Sequence, residues 1–386
     1  MNLLRFAQAR YRGLVRVLVL VCIAGCGRLG FDSEVAPDAC AVSVSAPSSR
    51  TNVHSKVTFA ADGGRPPYVF RMISGPGTIS PGGSFVSADE PGTATIEATD
   101  AFGCSAQMSI AVGGDSLFYV GGTSNSVPTN QVLRSDDGIT WTVVGALPAP
   151  RYSGALLVKD DRMFYVSGSN ASISRDVYSS TDGVTWTRIG DVPVGATSFG
   201  SVVLRDRIWM VGGNGNGRAT RWSTDGASWT NAGDLPEDNH GGSLAALGGS
   251  LVYTGGHNGN LYDWVVRSDD DGQTWTDLAN LPAGREYHRA ITIGNTMVLV
   301  GGQTTTPTAL ALVTATTDGT TFQTAPALPT GRANAGLAWF RDELWSVGGS
   351  DGNGVYSAPL AGAWTSRATN FPAPRTSGGL VAFTPL

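Results

Sequence analysis

A glycine-rich step that recurs about every 45 residues constrains the fold of this chain more than any other feature. It occurs six times, at Gly121-Gly122, Ser167-Gly168, Gly212-Gly213, Gly255-Gly256, Gly301-Gly302 and Gly348-Gly349. Each copy ends a short apolar run and is followed by a polar loop, a second apolar run and a turn. A period of this length with several short strands per unit is typical of a β-propeller. The 52 glycines of the 386-residue chain suit tight turns and disfavour long helices.

One copy of the repeat, residues 151–190, shows how a unit is built. Its four short runs, named A to D, are predicted at 154–158, 163–167, 176–180 and 185–189. The first unit lacks a run A, and the chain ends on SGGLVAFTPL, which has the pattern of one. We therefore predict that residues 379–385 complete the first blade of a six-bladed propeller spanning residues 115–386. The rival for that strand, 108–112, is assigned to the preceding domain.

The repeats resemble those of the kelch family, in which a Gly-Gly pair is followed by a Tyr and then a Trp, here Gly168, Tyr178 and Trp186. They are also similar to sialidase-like propellers that carry the Asp-box SxDxGxTW. The fourth unit meets that pattern in full at Ser268, Asp270, Gly272, Thr274 and Trp275. These resemblances imply a kelch-like propeller and leave the activity open, because propellers host many unrelated functions.

The Asp-boxes are expected to be structural. Strands of a meander alternate in direction, so A–B and C–D turns lie on one face of the ring, and B–C and D–A loops lie on the other. In these C–D turns the Asp would accept backbone N–H bonds, and the Trp would pack between blades. The residues are Asp137, Asp182, Asp225, Asp270 and Asp318, with Trp141, Trp186, Trp229, Trp275 and Trp364. The Phe/Tyr-Arg-Ile-Pro motif of sialidases is missing, and the propeller has no Cys for galactose-oxidase-like copper chemistry.

The N-terminal segment has the pattern of a targeting signal. Arginines at positions 5, 10, 12 and 16 precede the apolar run 17–25, which is too short to span a bilayer as a helix. The run ends in Ile23-Ala24-Gly25-Cys26, which resembles the lipobox of bacterial lipoproteins. We expect residues 1–25 to be a signal peptide and Cys26 to carry lipid; the alternative is an ordinary secreted protein. Gly27 in place of Asp favours the outer membrane by the same resemblance.

The mature chain would be acidic, which argues against a nucleic-acid partner. The net charge is −5, and loss of the signal removes four arginines and no acids, leaving −9. No basic stripe is present. The expected partners are a membrane, through the lipid on Cys26, and a glycan or protein ligand. The expected location is extracytoplasmic, at the outer membrane, with orientation and oligomeric state left open.

A second domain is predicted ahead of the propeller. Residues 26–39 form a Gly-, Pro- and acid-containing tether, and residues 40–113 contain short alternating runs typical of a β-sandwich. Segments such as GGRPPYVF resemble a bacterial Ig-like (Big-type) domain, which implies a spacer. Cys40 and Cys104 are expected to form a disulfide in an oxidising compartment, because a metal or redox pair would need further His or Cys nearby.

Arginine recurs where the chain enters run A, on the face of the B–C and D–A loops. The position is occupied by Arg151, Ala196, Asn239, Arg285, Arg332 and Arg375. Guanidinium suits carboxylate or phosphate, so the four arginines are candidate ligand-binding residues near the channel mouth. Alternatively, they bond loop carbonyls. Four aromatic or imidazole side chains on the same face complete the candidate set: Tyr152, His240, His257 and Tyr287.

The sequence REYHR at residues 285–289 is the densest cluster of reactive groups. Glu286 and His288 could supply acid–base chemistry if they converge, with Arg285 beside them. That alternative would be a sugar-processing enzyme similar to the N-acetylneuraminate epimerases, which are also six-bladed kelch proteins. No GxSxG elbow supports a Ser-His-Asp triad, which the sequence does not otherwise exclude.

The histidines occupy different repeat positions without a close pair, so neither a metal site nor a cofactor is predicted. The leading interpretation is a surface binding protein without a catalytic residue. A structural envelope protein is the third interpretation.

Overall fold

The computed structural model describes residues 40–47, 50–52, 56–88, 92–304, 308–372 and 374–385. The predicted signal peptide, the lipidation site Cys26 and the tether 26–39 lie outside these residues. The described chain contains strands, turns and loops without a helix, and so it offers none that is long and apolar enough to cross a membrane. It divides into two compact units, Met1–Gly114 and Asp115–Leu386.

The first unit folds as three small sheets around one apolar core. Its strands are β1 Ser43–Ser45, β2 Arg50–Asn52, β3 Lys56–Thr58, β4 Ala60–Asp62, β5 Val69–Ser74, β6 Thr78–Ile79, β7 Ser84–Val86, β8 Gly92–Thr99 and β9 Ser105–Gly113. They form the sheets β2-β9-β8-β5, β3-β7-β6 and β1-β4. Phe59, Phe85 and Ile96 are among the core side chains. The predicted disulfide is confirmed, because Cys40 and Cys104 are bonded, with their Cα atoms 5.5 Å apart.

The second unit contains six four-stranded antiparallel sheets, which confirms the prediction of a six-bladed propeller. Blade one has β10 Ser116–Val120, β13 Gln131–Ser135, β14 Thr142–Ala146 and β38 Gly379–Phe383; blade two has β15 Ala155–Lys159, β16 Arg162–Val166, β17 Asp176–Ser180 and β18 Thr187–Asp191; blade three has β19 Gly200–Leu204, β20 Arg207–Val211, β21 Ala219–Ser223 and β22 Thr230–Asp234. Blade four has β23 Ser243–Leu247, β24 Ser250–Thr254, β27 Trp264–Ser268 and β28 Thr276–Asn280; blade five has β29 Arg289–Ile293, β30 Thr296–Val300, β31 Val313–Thr316 and β32 Gln323–Ala325; blade six has β33 Gly336–Phe340, β34 Glu343–Val347, β35 Val355–Ala358 and β36 Thr365–Ser366. Five two-residue strands lie in the loops: β11 Thr123–Ser124, β12 Val127–Pro128, β25 His257–Asn258, β26 Asn260–Leu261 and β37 Arg375–Thr376.

The first and last strands of the propeller lie side by side. β38 pairs antiparallel with β10, from Val120 opposite Gly379 to Ser116 opposite Phe383. The C-terminal strand is therefore strand A of blade one. Residues 108–112 lie within β9, in the sheet of the first unit.

Apolar clusters between adjacent blades hold the ring together. One cluster joins Leu117 and Trp141 of blade one to Phe340 and Trp345 of blade six. Gly138, in the Asp-box turn of blade one, has φ +77° and lies so close to Trp345 that an added Cβ would be 2.2 Å from its ring. Only glycine fits there, since it tolerates this backbone and leaves room for the neighbouring indole.

The Asp-box carboxylates bond within their own turns. Asp182 accepts hydrogen bonds from the backbone N–H groups of Val184 and Thr185, each at 2.8 Å, and from Ser180 Oγ at 2.9 Å. Trp186 Nε1 donates to the carbonyl of Gly183 at 3.2 Å. The box therefore ties strand C to strand D, and its Trp packs in the cluster between blades one and two.

Candidate functional site

The arginines at the entrance to strand A lie beneath the loop face and not on it. Their exposed fractions are 7% for Arg151, 0% for Arg285, 1% for Arg332 and 3% for Arg375. The expectation that they line the channel mouth and bind an anionic ligand directly is therefore wrong. A guanidinium this deeply covered is not accessible to a ligand on the surface.

Three of the four arginines bond groups in their own blade. Arg151 forms an ion pair with Asp176, the first residue of strand C in blade two. Arg375 bonds Gln131, which begins strand C in blade one. Arg332 forms an ion pair with Asp351 of blade six and donates to the carbonyl of Ser346 at 3.1 Å. The alternative that these arginines satisfy acceptors of the fold describes them better.

Arg285 differs from the other three. The blade-five residue equivalent to Asp176 and Gln131 is Leu312, since each accepts the same backbone hydrogen bond through its carbonyl. The side chain of Leu312 cannot accept a hydrogen bond, and no guanidinium nitrogen of Arg285 has a partner among the described residues. Burial lowers the pKa of Arg285 to about 10. Blade five thus keeps a covered cation without the acceptor that blades one, two and six supply.

At the entrance to each strand A, the residue that follows the position of the arginines contacts the B–C loop of the same blade. The pairs are Tyr152 with Ser169, Thr197 with Asn214, His240 with His257, Glu286 with Gln303, and Thr376 with Thr123. In blade six the backbone N–H of Ser350 donates to the carbonyl of Ala333. The pairs form a circle around the loop face, and two neighbouring members of it carry imidazoles and a carboxylate.

Three of those side chains converge over blades four and five. The ligand-type atoms of His240, His257 and Glu286 all lie within 4.8 Å of one another. His257 Nδ1 is 3.4 Å from His240 Nε2, and Gln303 Nε2 donates to Glu286 Oε1 at 3.1 Å. The histidines do occupy different repeat positions, but this was not a sound reason to expect no metal site, because the bridge between the two loops brings His240 and His257 together.

Burial favours the neutral form of His240. Burial, followed by the charge of His257, lowers the pKa of His240, while Glu286 acts in the opposite direction. His240 and His257 are half-buried, and Glu286 is 7% exposed. The group therefore offers imidazole nitrogens on two partly accessible side chains and one well-covered carboxyl group.

His288 does not belong to this cluster. It is buried, and its Nε2 lies 2.9 Å from Thr254 Oγ1 inside the propeller wall. Burial, followed by the charges of Arg285 and Arg289, holds the pKa of His288 well below its usual range. The proposed acid–base pair of Glu286 with His288 is not brought together, and Glu286 faces His240 and His257 instead.

Tyr287 lies at the inner edge of the loop face, on a ring of backbone hydrogen bonds. Six residues, each in the left-handed region with φ between 53° and 73°, donate through N–H to the carbonyl of the previous one: Ser153, Ser198, Gly241, Tyr287, Asn334 and Ser377. A Cβ on Gly241 would be 3.1 Å from the Tyr287 ring and 3.2 Å from the Glu286 Cβ. Tyr287 therefore adjoins the His–Glu cluster.

The six A strands surround a central channel below this ring. Its volume is about 380 Å³, and its described walls are mostly apolar. Arg289 is the one charged side chain in that lining, and its Nε donates to the carbonyl of Ala335 at 3.1 Å. The channel is therefore a weaker candidate for a polar ligand than the loop face, where several polar groups converge.

The remaining candidate residues are spread around the ring. Tyr152 is half-exposed over blade two, on a different side of the loop face from blades four and five. Gln303 was missed by the sequence analysis, and so was the role of Asn239, whose Oδ1 accepts the backbone N–H of His257 at 3.2 Å. Aligning the repeats on their Gly-Gly pairs would have pointed to Gln303, because it follows Gly302 in blade five as His257 follows Gly256 in blade four.

Comparison with solved structures supports the fold. The structure of YjhT aligns with a TM-score of 0.54 and 15% identity, over 64% of this chain and 96% of that one. At this identity the likeness concerns the fold alone, and 473 solved chains match, so it points to no single activity. No family model matches the chain. No curated protein matches it either.

Proposed function

We propose that this chain is a lipid-anchored extracytoplasmic protein whose propeller binds a glycan on the loop face above blades four and five. The observation that carries the proposal is the convergence of His240, His257 and Glu286 beside the ring of Tyr287. Small-ligand sites combine an aromatic surface with a few fixed polar groups. The apolar ring face of a sugar can stack on the aromatic side chain, and its hydroxyl groups can hydrogen-bond to the polar groups.

The surface around this group favours a polar ligand over a protein partner. From residue 195 to the end of the described chain, no Val, Ile, Leu, Met, Phe, Tyr or Trp side chain is classed as exposed. Protein interfaces usually have an apolar or aromatic centre, and a contiguous apolar patch often marks one. The described residues of blades four and five provide no such centre on their surface, whereas the loops offer Asn, Ser, Thr and Gln.

The anchor and the spacer extend the proposal to the whole chain. Cys26 would hold the protein on the outer membrane, and residues 26–39 would link it to an Ig-like domain at 40–113. The sequence patterns described above support both parts. The first unit would then serve as the spacer that the resemblance to Ig-like domains implies.

The same convergence favours one second candidate, a sugar-processing enzyme. Glu286 is nine-tenths buried, and one of its carboxylate oxygens lies within 4.8 Å of a ring nitrogen of His240 and of His257, so a proton could pass between them through one bridging water. The acid–base group would then be Glu286 with these two histidines, in place of Glu286 with His288.

Glycan-array binding by the wild type and two variants tests the proposal. Tyr287→Asn installs the residue that blade six has at the equivalent ring position, Asn334, which has the same left-handed backbone. We expect at least a tenfold loss of binding with an unchanged Tm. Asp342→Asn, in an A–B turn of blade six, is the control and should bind normally.

An absence of glycan binding, or normal binding by Tyr287→Asn, would reject this site. Turnover of a sialic-acid panel that disappears in Glu286→Ala would promote the enzyme. With neither binding nor turnover, the structural interpretation would stand.

A further inference from the structure

We propose that His240, His257 and Glu286 bind a divalent first-row transition metal, with Zn²⁺ as the expected ion. This goes beyond glycan recognition, because the ion requires no sugar. The three side chains come from two D–A loops and one B–C loop that meet over blades four and five.

The spacing of the donor atoms suits such an ion. Two nitrogen ligands about 2.05 Å from a tetrahedral Zn²⁺ lie about 3.3 Å apart, and His257 Nδ1 is 3.4 Å from His240 Nε2. One carboxylate oxygen of Glu286 lies within 4.8 Å of a ring nitrogen of each histidine. A rotation of the Glu286 side chain would bring that oxygen towards the same centre.

The donor types select the class of metal. Imidazole suits Zn²⁺, Cu²⁺ and Ni²⁺, whereas Ca²⁺ and Mg²⁺ take oxygen ligands. Two histidines and one carboxylate supply three ligands and leave a coordination position open for water or a hydroxyl group. His240 and His257 are half-exposed, so that position would face solvent.

The backbone holds the ligands in place. His240 and His257 exchange two hydrogen bonds, of 3.1 and 2.8 Å, and Glu286 and Gln303 exchange two more, of 3.1 and 2.9 Å. Gln303 also donates to the Glu286 carboxylate, and buried Asn239 accepts the His257 N–H. Outer partners that fix ligand orientation in this way raise metal affinity.

The repeats show that the fold does not need these side chains. The equivalent bridged pairs are Tyr152 with Ser169, Thr197 with Asn214 and Thr376 with Thr123, and Ala333 bonds Ser350. None of them places two metal ligands together, yet the first three form the same kind of backbone bridge. In blade six the Ala333 N–H bonds the Ser350 side chain in place of its carbonyl. The imidazoles and the carboxylate are therefore additions to blades four and five.

Calorimetric titration of untagged, EDTA-treated full-length protein with Zn²⁺ alone tests the site. We expect one Zn²⁺ per chain. His240→Thr and Glu286→Ala copy the residues of blades three and six, so their backbones should be retained. Each should weaken binding at least tenfold, and Gln303→Ser, which copies blade two, should weaken it about tenfold.

Asp342→Asn, in an A–B turn of blade six on the other face of the ring, removes a carboxylate away from the site and should leave the titration unchanged. The proposal would be overturned if the wild type does not bind Zn²⁺, or if His240→Thr and Glu286→Ala bind Zn²⁺ as tightly as the wild type does. Zn²⁺ binding without any glycan binding would reject the proposed function alone, and the reverse result would reject the metal site alone.

Discussion

Replacing Arg285 with Met is expected to stabilise the propeller, whereas the same change at Arg332 is expected to destabilise it. The two arginines occupy equivalent positions in neighbouring blades and are 0% and 1% exposed. Arg332 forms an ion pair with Asp351, whereas Arg285 has no hydrogen-bond partner in the described chain. A buried charge without a partner bears its full desolvation cost, which an apolar side chain of similar length avoids.

The magnitude follows from the burial. The pKa of Arg285 is lowered from 12.5 to about 10 by desolvation, which corresponds to an unfavourable term of about 3 kcal/mol. Because the lowered pKa belongs to the folded state, the term applies in full below about pH 10 and diminishes as the pH rises towards 12.5. We expect Arg285→Met to recover about 1–3 kcal/mol. Arg332→Met leaves the Asp351 carboxylate, whose side chain is 9% exposed, without its counter-charge, and should cost about 3–5 kcal/mol.

Differential scanning calorimetry at pH 7 with EDTA measures both changes. EDTA removes stabilisation by bound metal, which would otherwise raise the Tm by mass action. Since 1 kcal/mol moves the Tm of a domain of this size by about 2–4 °C, the two variants should shift the propeller transition in opposite directions. The transition of the first unit serves as an internal reference. Equal losses of Tm in both variants would refute the argument, because they would mean that Arg285 is as well compensated as Arg332.

Two further predictions concern the ring and the Asp-box. Ending the chain after Thr376 removes β38, including buried Leu380 and Phe383. The thermal transition of the propeller should disappear or its Tm should fall strongly, while the transition of the first unit stays in place. An unchanged calorimetric trace would contradict closure by this strand. Hydrogen bonds from the Thr274 side chain and backbone lower the pKa of Asp270 to about 2, so its contribution to stability is present above about pH 4 and is lost as the pH falls towards 2. The Tm advantage of the wild type over Asp270→Asn should therefore shrink over that interval, and a constant difference would count against it.

The fold could be predicted because the same pattern recurs six times, so that each copy can be checked against the others. Six copies of one pattern fix the blade count, and a spare run A at the end of the chain identifies the closing strand. Strand boundaries in blade two differ from the predicted ones by no more than two residues; strand D, for example, is Thr187–Asp191 where 185–189 was predicted. Periodicity specifies such features because every blade must bury the same kind of surface.

The candidate site could be predicted only in part. The arginines were expected on the loop face, but a sequence does not show whether a long side chain points out or folds inward, and these four are buried. Comparing strand C between units would have helped, since Asp176 and Gln131 accompany arginines and Ala219 accompanies Ala196. The meeting of His240 with His257 depends on a bridge between loops 17 residues apart, and Glu286 belongs to the next unit. Comparing the repeats position by position therefore keeps His240, His257 and Glu286 apart, although the folded loops bring them together.

The circle of six left-handed residues has a consequence for how the protein is made. Ser377 takes part in two of its six hydrogen bonds, by donating to Asn334 and accepting from Ser153. A chain that has been synthesised only as far as residue 376 can form only the other four. The ring therefore cannot close before β38 has been made, and until then β10 of blade one has an unpaired strand edge that a protease or chaperone could bind.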